Sequence, residues 1–370
     1  MSAGLVQLVA RGPQDAILTG NPQITFFKQN HVKYTQFSSV TTRQNISGIP
    51  TPGSISTINI EKKADLLGYI YLTAQNNTGV VPYLDWTQNI IDKVEFLLGG
   101  QVIDEQDSVW SNNIEPVVGA VVPSQARLPS GVPGTSTGFN SNSFYPLKFF
   151  FCKNWSSILP LVALKFQEVT IRITWSKNLK TSGSDAYQYV LWMNTIFLDQ
   201  AEREFFATRP MTMLVTQVQR QIVDKRQPYM DMTFAHPVKY LAFQSNSYTT
   251  VYSTGTSLQF KTQINGVDAC DFKSLNQWVD VTQYYHTPVG YSATVSNAAV
   301  IPFCLNTSSM QPTGTLNFSR LDIFRIVTPD NQIFKQMTQT ADNLSDAYVY
   351  AVNYNFLRIA DGVGSLLYAT

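Results

Sequence analysis

The chain is poor in the residues that most chemistry needs. It has only three cysteines, Cys152, Cys270 and Cys304. Their number is odd and their spacing matches no metal motif, which excludes a disulfide framework and a zinc knuckle. Each sits among apolar neighbours, so each is expected to be a reduced, buried thiol in a cytosolic protein. There are only three histidines, His31, His236 and His286, far apart and without His-x-x-x-His or Cys-His spacing, so no metal site is expected. No Gly-x-Ser-x-Gly elbow precedes a helix, and Gly362-Val363-Gly364 lacks the third glycine and the βαβ context of a dinucleotide fingerprint. No catalytic residue, cofactor site or metal ligand is assigned on these grounds. Charged residues make up 14% of the 370 residues, against a usual share of about 25%. The net charge is +1, and no block of five like charges occurs, so no global field draws the chain to nucleic acid or to an anionic membrane. No apolar run approaches the roughly 20 residues of a membrane-spanning helix. The apolar start, Gly4 to Ala10, is too short to span. It also lacks the basic opening and small-residue cleavage site of a secretory signal.

What is present is a β-protein composition. Hydrophobic residues reach 44% and aromatic residues 12%, with 18 Tyr and 22 Phe. That combination excludes disorder and favours strands. The length favours two domains. Gly20-Asn21-Pro22 is turn chemistry, and Ile24, Thr25 and Phe26 are expected to begin an extended run that Tyr34 and Phe37 continue. Strands are expected over Ser54 to Ile60, over Leu66 to Thr73, and over Val94 to Leu98 before a Gly99-Gly100 hairpin. Val169 to Trp175 alternates with period two, so one face is buried. Tyr189 to Leu198 is apolar almost throughout, as a central strand is. A short helix is expected within Asp107 to Val118. Residues 123–143 are rich in Pro, Gly and Ser and read as a long surface loop, with no comparable insertion expected in the second half. The charged stretch Asp199 to Pro210 reads as a connector with a helical turn. The expected organisation is an N-terminal arm over 1–22, a first sandwich over 23–205 and a second over 206–370.

The second half repeats the first. Pro237 to Gln244 parallels Leu66 to Thr73, Phe260 to Gly266 parallels Val94 to Gly100, Phe303-Cys304 parallels Phe151-Cys152, and Val349 to Leu357 parallels Val190 to Leu198. These matches pair Tyr69 with Tyr240, Gly100 with Gly266, Cys152 with Cys304 and Leu198 with Leu357. The order is kept while the offset wanders, as two copies with different loop lengths would behave. A duplicated unit with many short strands reads as two tandem β-sandwiches, with the jelly roll as the leading topology.

Three weaker signals have bland readings beside sharp ones. Asp104, Glu105 and Asp107 could hold a cation, but a solvated turn after Gly99-Gly100 is preferred. Asn-x-Ser/Thr sequons occur at Asn45, Asn76, Asn154, Asn306, Asn317 and Asn343, a pattern that chance supplies in a chain rich in these residues, and no secretory signal accompanies them. Trp110, Trp155 and Trp278 could form a sugar platform in a carbohydrate-binding sandwich, but core packing is the commoner use of Trp. An enzyme on a cupin-like jelly roll would need a cluster of His and carboxylate ligands that three scattered histidines do not supply.

Several motifs then point one way. Gln7-Leu8-Val9-Ala10 with Leu18 to Lys28, Phe197-Leu198-Asp199 with Glu202 to Ala207, His236-Pro237-Val238-Lys239, Gln311 to Asp322, and Asn353 to Ile359 stand in one order along the chain. Together they resemble the major capsid proteins of nucleocytoplasmic large DNA viruses, from about residue 7 to residue 368. The resemblance implies an all-β double jelly roll of two tandem eight-stranded antiparallel β-sandwiches. It also implies a homotrimer of pseudo-sixfold outline, packed against neighbouring capsomers and minor capsid proteins in an icosahedral shell. It implies proximity to an inner membrane, assembly in the host cytoplasm, and no direct binding of nucleic acid. The chain is shorter than is usual for that family, which suggests a low-profile capsomer and keeps a minor or specialised capsid component as the alternative. Leu5, Val6, Leu8 and Val9 are the candidate inter-subunit arm. They either reach a neighbour or pack on their own barrel.

Overall fold

The computed structural model describes residues 2–29, 31–76, 84–86, 90–119, 141–181, 187–224, 226–244, 258–288, 298–329 and 348–368. Most of the 123–143 stretch and the sequon at Asn343 lie outside these residues.

Residues 1–36 form a unit of their own. It carries two helices, α1 (Ala3–Val9) and α2 (Pro13–Thr19), neither with a buried residue. Pro13 opens α2, where a missing N–H costs nothing, and the Asp15 carboxylate accepts from Gly12 N at 2.8 Å. Asn21 takes the left-handed conformation expected of the turn, with φ +49°. The expected strand at Ile24 does not form. Residues 24–29 are irregular, with a turn at Phe26-Phe27, and the first strand starts at Phe37. The reason lies in pairing. Phe37 opposes Leu198, the last residue of its partner strand, so β-prone residues before Phe37 have no ladder to join.

The remainder, residues 37–370, is a second unit. Its first eight principal strands are β1 (Phe37–Gln44), β2 (Ile55–Asn59), β3 (Leu66–Gln75), β4 (Ile91–Leu98), β5 (Gln101–Asp107), β6 (Phe144–Pro146), β7 (Val169–Trp175) and β8 (Gln188–Leu198). They build two antiparallel sheets, ordered β1-β8-β3-β6 and β2-β7-β4-β5. The inner faces meet over one core that contains Leu67, Ile70, Leu72, Phe96, Ile171, Ile173 and Leu191. The expected alternation in β7 is realised: Val169, Ile171, Ile173 and Trp175 are buried, while Thr170, Arg172 and Thr174 are half-buried. The near-continuous apolar run of β8 has its reason too, because β8 lies between β1 and β3. After β5 come a π-helical turn (Trp110–Ile114) and α3 (Glu115–Val118), and α4 (Phe150–Lys153) follows β6.

The charged connector is α5 (Gln200–Thr208). Then the pattern repeats through β9 (Met211–Ile222), β10 (Tyr229–Met232), β11 (Pro237–Gln244), β12 (Gln259–Ile264), β13 (Val267–Asp268), β14 (Ala298–Pro302), β15 (Phe324–Val327) and β16 (Tyr348–Ala360). The sheets are ordered β9-β16-β11-β14 and β10-β15-β12-β13, each strand in the place of its counterpart eight numbers earlier. They close over Leu241, Phe243, Phe260, Phe324 and Ile326. A second π-helical turn (Gln277–Val281) and α6 (Thr282–His286) stand where the first turn and α3 stand in the first half.

The repeat is therefore real, and register refines it. Gly100 and Gly266 do match: Gly99-Gly100 (φ +56°, +86°) and Asn265-Gly266 (φ +49°, +82°) make the same two-residue hairpin turn. Tyr69 and Tyr240 do not. Tyr71 opposes Pro146 as Tyr240 opposes Pro302, so Tyr71 is the true counterpart. The two-residue slip went unseen because Tyr69 and Tyr71 point to the same face. Cys152 lies inside α4, whereas Cys304 closely follows β14, so these two are not equivalent either. Between Val327 and Tyr348 the second half has a span nearly as long as that between Val118 and Ser141, and most of it lies outside the described residues.

Ile171 is fully buried and Thr170, its neighbour on the other face, is not. Ile171→Ala should cost about 2–5 kcal/mol of stability, while Thr170→Ala should cost less than about 1 kcal/mol. Urea midpoints of the two variants measured side by side check this.

Candidate functional site: the seam between the barrels

In the second unit, buried polar groups gather where strand β5 of the first barrel meets strands β9 and β16 of the second. The carboxylates at 104, 105 and 107 sit here. They are not the solvated turn expected from sequence. The chain continues as strand β5 past Gly99-Gly100, and β5 is the edge strand of its sheet. The second barrel lies along that edge through Gln217 and Val218, so Asp104 and Asp107, on opposite faces of β5, are both buried. A polar residue on an edge strand reads the same whether that edge meets water or another domain, which is why the sequence misled.

The geometry is that of a clasp. Asp104 Oδ1 accepts from Val218 N at 2.9 Å, and its Oδ2 accepts from Gln106 Nε2 at 2.8 Å. Gln217 Nε2 donates to the Ile103 carbonyl, while Gln217 Oε1 accepts from Asn355 Nδ2 at 2.8 Å. Asp107 is the hub. Its Oδ1 accepts from Trp110 N at 2.7 Å and so caps the π-helical turn; its Oδ2 accepts from Tyr350 Oη at 2.6 Å and Arg220 Nη1 at 3.2 Å. Arg220 also pairs with Glu105 at 2.9 Å, and Lys93 bridges Glu105 and Glu95. Burial pushes the Asp107 carboxyl above its ordinary range and outweighs those partners.

Beside the clasp lies an apolar contact. Trp110, Ile114, Val117 and Val118 pack on the outer face of the β9-β16-β11-β14 sheet, against Tyr240, Ala242, Val300, Tyr350 and Val352. Trp110 stacks on Tyr240 with ring centroids 6.4 Å apart and an 18° interplanar angle. Glu115 closes this side. Burial alone would raise its carboxyl, but Lys148 (2.9 Å) and Lys153 (3.4 Å) hold it below its ordinary value. Nearby, burial pushes the Lys239 amine down to about 8; its Nζ donates to the Ser309 carbonyl at 2.9 Å.

The other residues singled out in the sequence are scattered. His31 lies in the arm unit. His236 is buried at φ +68° before Pro237, its backbone N–H donating to Ser319 Oγ at 2.8 Å. His286 Nδ1 sits 3.0 Å from the Cys304 carbonyl. Cys304 is buried, while Cys152 and Cys270 are half-buried; all three are free thiols. Trp110 and Trp278 are core residues, so the sugar platform loses two of its three members; Trp155 is exposed. Three sequons are local turns. Asn154, Asn306 and Asn317 each accept from the backbone N–H two residues on, at Ser156, Ser308 and Ser319. Leu5, Val6, Leu8 and Val9 of α1 are exposed. Among the described residues no helix is long and apolar enough to cross a membrane.

Comparison with known proteins fits this architecture. The model described as "major capsid protein N-terminus" matches residues 25–203, and the model described as "large eukaryotic DNA virus major capsid protein" matches residues 202–365. The major capsid protein of Pyramimonas orientalis virus is 30% identical, with both chains covered in full. The chain belongs to the major capsid protein family of large eukaryotic DNA viruses. The major capsid protein of Paramecium bursaria Chlorella virus 1 is 29% identical over the full length of both chains. The capsid structure of that virus superposes with a TM-score of 0.74 at 25% identity, covering 94% of this chain and all of the other. The Faustovirus major capsid protein shares the fold, with a TM-score of 0.60 at 12% identity. The fold is thus the double jelly roll, and the protein is a structural component of the capsid.

Burial pushes the Asp104 carboxyl up to about 6, from an ordinary 3.8. Between those values the folded state holds a proton that the unfolded chain has released, so stability falls as pH rises through that window. Relative to Asp104→Asn, the parent should lose up to about 3 kcal/mol between pH 4 and pH 7; parallel pH profiles would contradict this. Glu115→Gln should cost about 3–5 kcal/mol, because it strands the buried Lys148 amine, and thermal unfolding at pH 7 reads that loss.

Proposed function

We propose that three copies of this major capsid protein form a closed capsomer whose six barrels give a pseudo-hexagonal outline, and that such capsomers tile an icosahedral shell. The observation that carries this reading is the duplication. One chain presents the same eight-stranded unit twice, side by side, with strand orders that correspond in both sheets. Three such chains make a near-sixfold tile, and closed cyclic symmetry is the usual outcome for soluble assemblies. Relatives that match the whole chain are major capsid proteins, which favours the abundant role over that of a minor component. On this reading the partners are neighbouring capsomers and minor capsid proteins, an inner membrane lies close by, and assembly takes place in the host cytoplasm.

The apolar side chains of α1, Leu5, Val6, Leu8 and Val9, form the contact between a capsomer and what lies beside or beneath it. Exposed apolar residues this dense mark an interaction site.

Light scattering on the purified protein tests the capsomer. Each chain is 41.4 kDa, so the expected mass is about 124 kDa for three, stable on dilution. A mass of one chain at every concentration overturns the trimer. Removal of residues 1–22 should leave that mass, less the arm, unchanged while abolishing lattice formation by capsomers in electron micrographs.

A further inference from the structure

Among the described residues, the duplication leaves one helix and one sheet face without the contact that their counterparts make. Both halves carry a π-helical turn that runs into a short α-helix, Trp110–Ile114 into α3 and Gln277–Val281 into α6. Each follows the strand at the same edge of its sheet: Asp107 opposes Lys93 in the first half, and Ser274 opposes Gln259 in the second. Counted from the start of the turn, Ile114, Val117 and Val118 hold the same positions as Val281, Tyr284 and Tyr285. The first three are no more than 1% exposed, because they lie on the sheet of the second barrel. The other three are 49%, 64% and 72% exposed.

The receiving faces correspond as well. Register makes Tyr71 the counterpart of Tyr240, and Trp192 the counterpart of Val352. Tyr240 and Val352 are buried beneath the Trp110 helix. Tyr71 and Trp192 are only half-buried, and Tyr69 and Phe144 extend them into an aromatic band, with Tyr69–Tyr71 centroids 6.3 Å apart and Tyr71–Phe144 centroids 5.9 Å apart. Among the described residues, the chain thus holds one completed helix-on-sheet contact, one unused helix face on its second barrel and one unused sheet face on its first.

We infer that these two complete each other between chains. The Val281-Tyr284-Tyr285 face of one copy docks on the Tyr69-Tyr71-Trp192 face of the next, repeating between subunits the contact that Trp110 to Val118 makes within one. Such a contact is heterologous, head to tail, and yields a ring when its rotation closes. Its composition suits the task, since aromatic side chains carry a disproportionate share of interface energy and present a polar tip with an apolar body. The inference rests on the trimer reading, which supplies the number of copies at which the ring closes.

The test uses the full chain. Tyr284→Asp with Tyr285→Asp should move the mass in light scattering from about 124 kDa to the 41.4 kDa of one chain, with the circular dichroism spectrum unchanged. In parallel, a benzophenone amino acid in place of Tyr285 is irradiated in mixed 14N and 15N protein, and the adduct is mapped by mass spectrometry. It should join two copies and land within residues 66–75 or 188–198. If the charged variant misfolds, the position of the adduct decides alone. A trimer that survives the charged pair, or an adduct elsewhere on the neighbour, overturns this contact and leaves the trimer standing. An unsubstituted protein that is monomeric at every concentration overturns both.

Discussion

The rest of the molecule depends on how the first barrel is held against the second, and the Asp107 side chain sets that geometry. It caps the turn that begins at Trp110 and accepts from Tyr350 and Arg220 of the opposite barrel. One carboxylate therefore fixes both the direction of the helix and the place where it lands. Its contribution is one of direction more than of energy. Burying a carboxylate costs several kcal/mol, which hydrogen bonds to a charged group, at about 1.5–3 kcal/mol each, roughly offset. The apolar side chains beside it, Trp110, Ile114, Val117 and Val118, stabilise by about 1.5–3 kcal/mol apiece on burial. The hydrophobic contact holds the barrels together, and the clasp decides in which register they are held.

Duplication supplies two such helices, but the copies are not tuned alike. Where the first half has Asp107 and Trp110, the second has Ser274 and Gln277. The second helix thus lacks both the carboxylate hub and the indole that stacks on Tyr240. It carries Tyr284 and Tyr285 outward instead. That divergence separates a contact made once, as the chain folds, from a surface left for a later step. A permanent intrachain seam tolerates buried charge because its partners are never apart. A surface that spends time in water is better served by tyrosines, which are soluble through their hydroxyls and adhesive through their rings.

The sequence disclosed what local chemistry determines. The alternation of Val169 to Trp175, the apolar run to Leu198 and the turns at Gly99-Gly100 and Asn265-Gly266 all stand in the structure as read. So does the double jelly roll, which the motifs and the internal repeat both indicated. The seam was hidden for a physical reason. Asp104, Glu105 and Asp107 lie on an edge strand that meets another domain, and no periodicity separates that from solvent. Ile24 to Phe26 failed in the opposite sense, since strong β propensity without a partner strand yields no strand. The π-helical turns left no trace beyond a short apolar pattern, and only their recurrence in both halves gives them meaning.

The seam also responds to acid in two opposed ways. Asp104 is held protonated up to about 6 by burial, so its contribution improves as pH falls below that value. Glu115 behaves inversely. Its carboxyl lies below the ordinary 4.5 because Lys148 and Lys153 outweigh burial; the stability it lends is complete above 4.5 and is lost only as pH falls through its lower folded value. Between about 4.5 and 6 the first carboxylate is therefore gaining while the second has lost nothing. Burial raises the Asp107 carboxyl in the same direction as Asp104. Over that window Asp104 and Glu115 favour the folded seam in mild acid, and the apolar side chains beside them, Trp110, Ile114, Val117 and Val118, carry no charge to titrate.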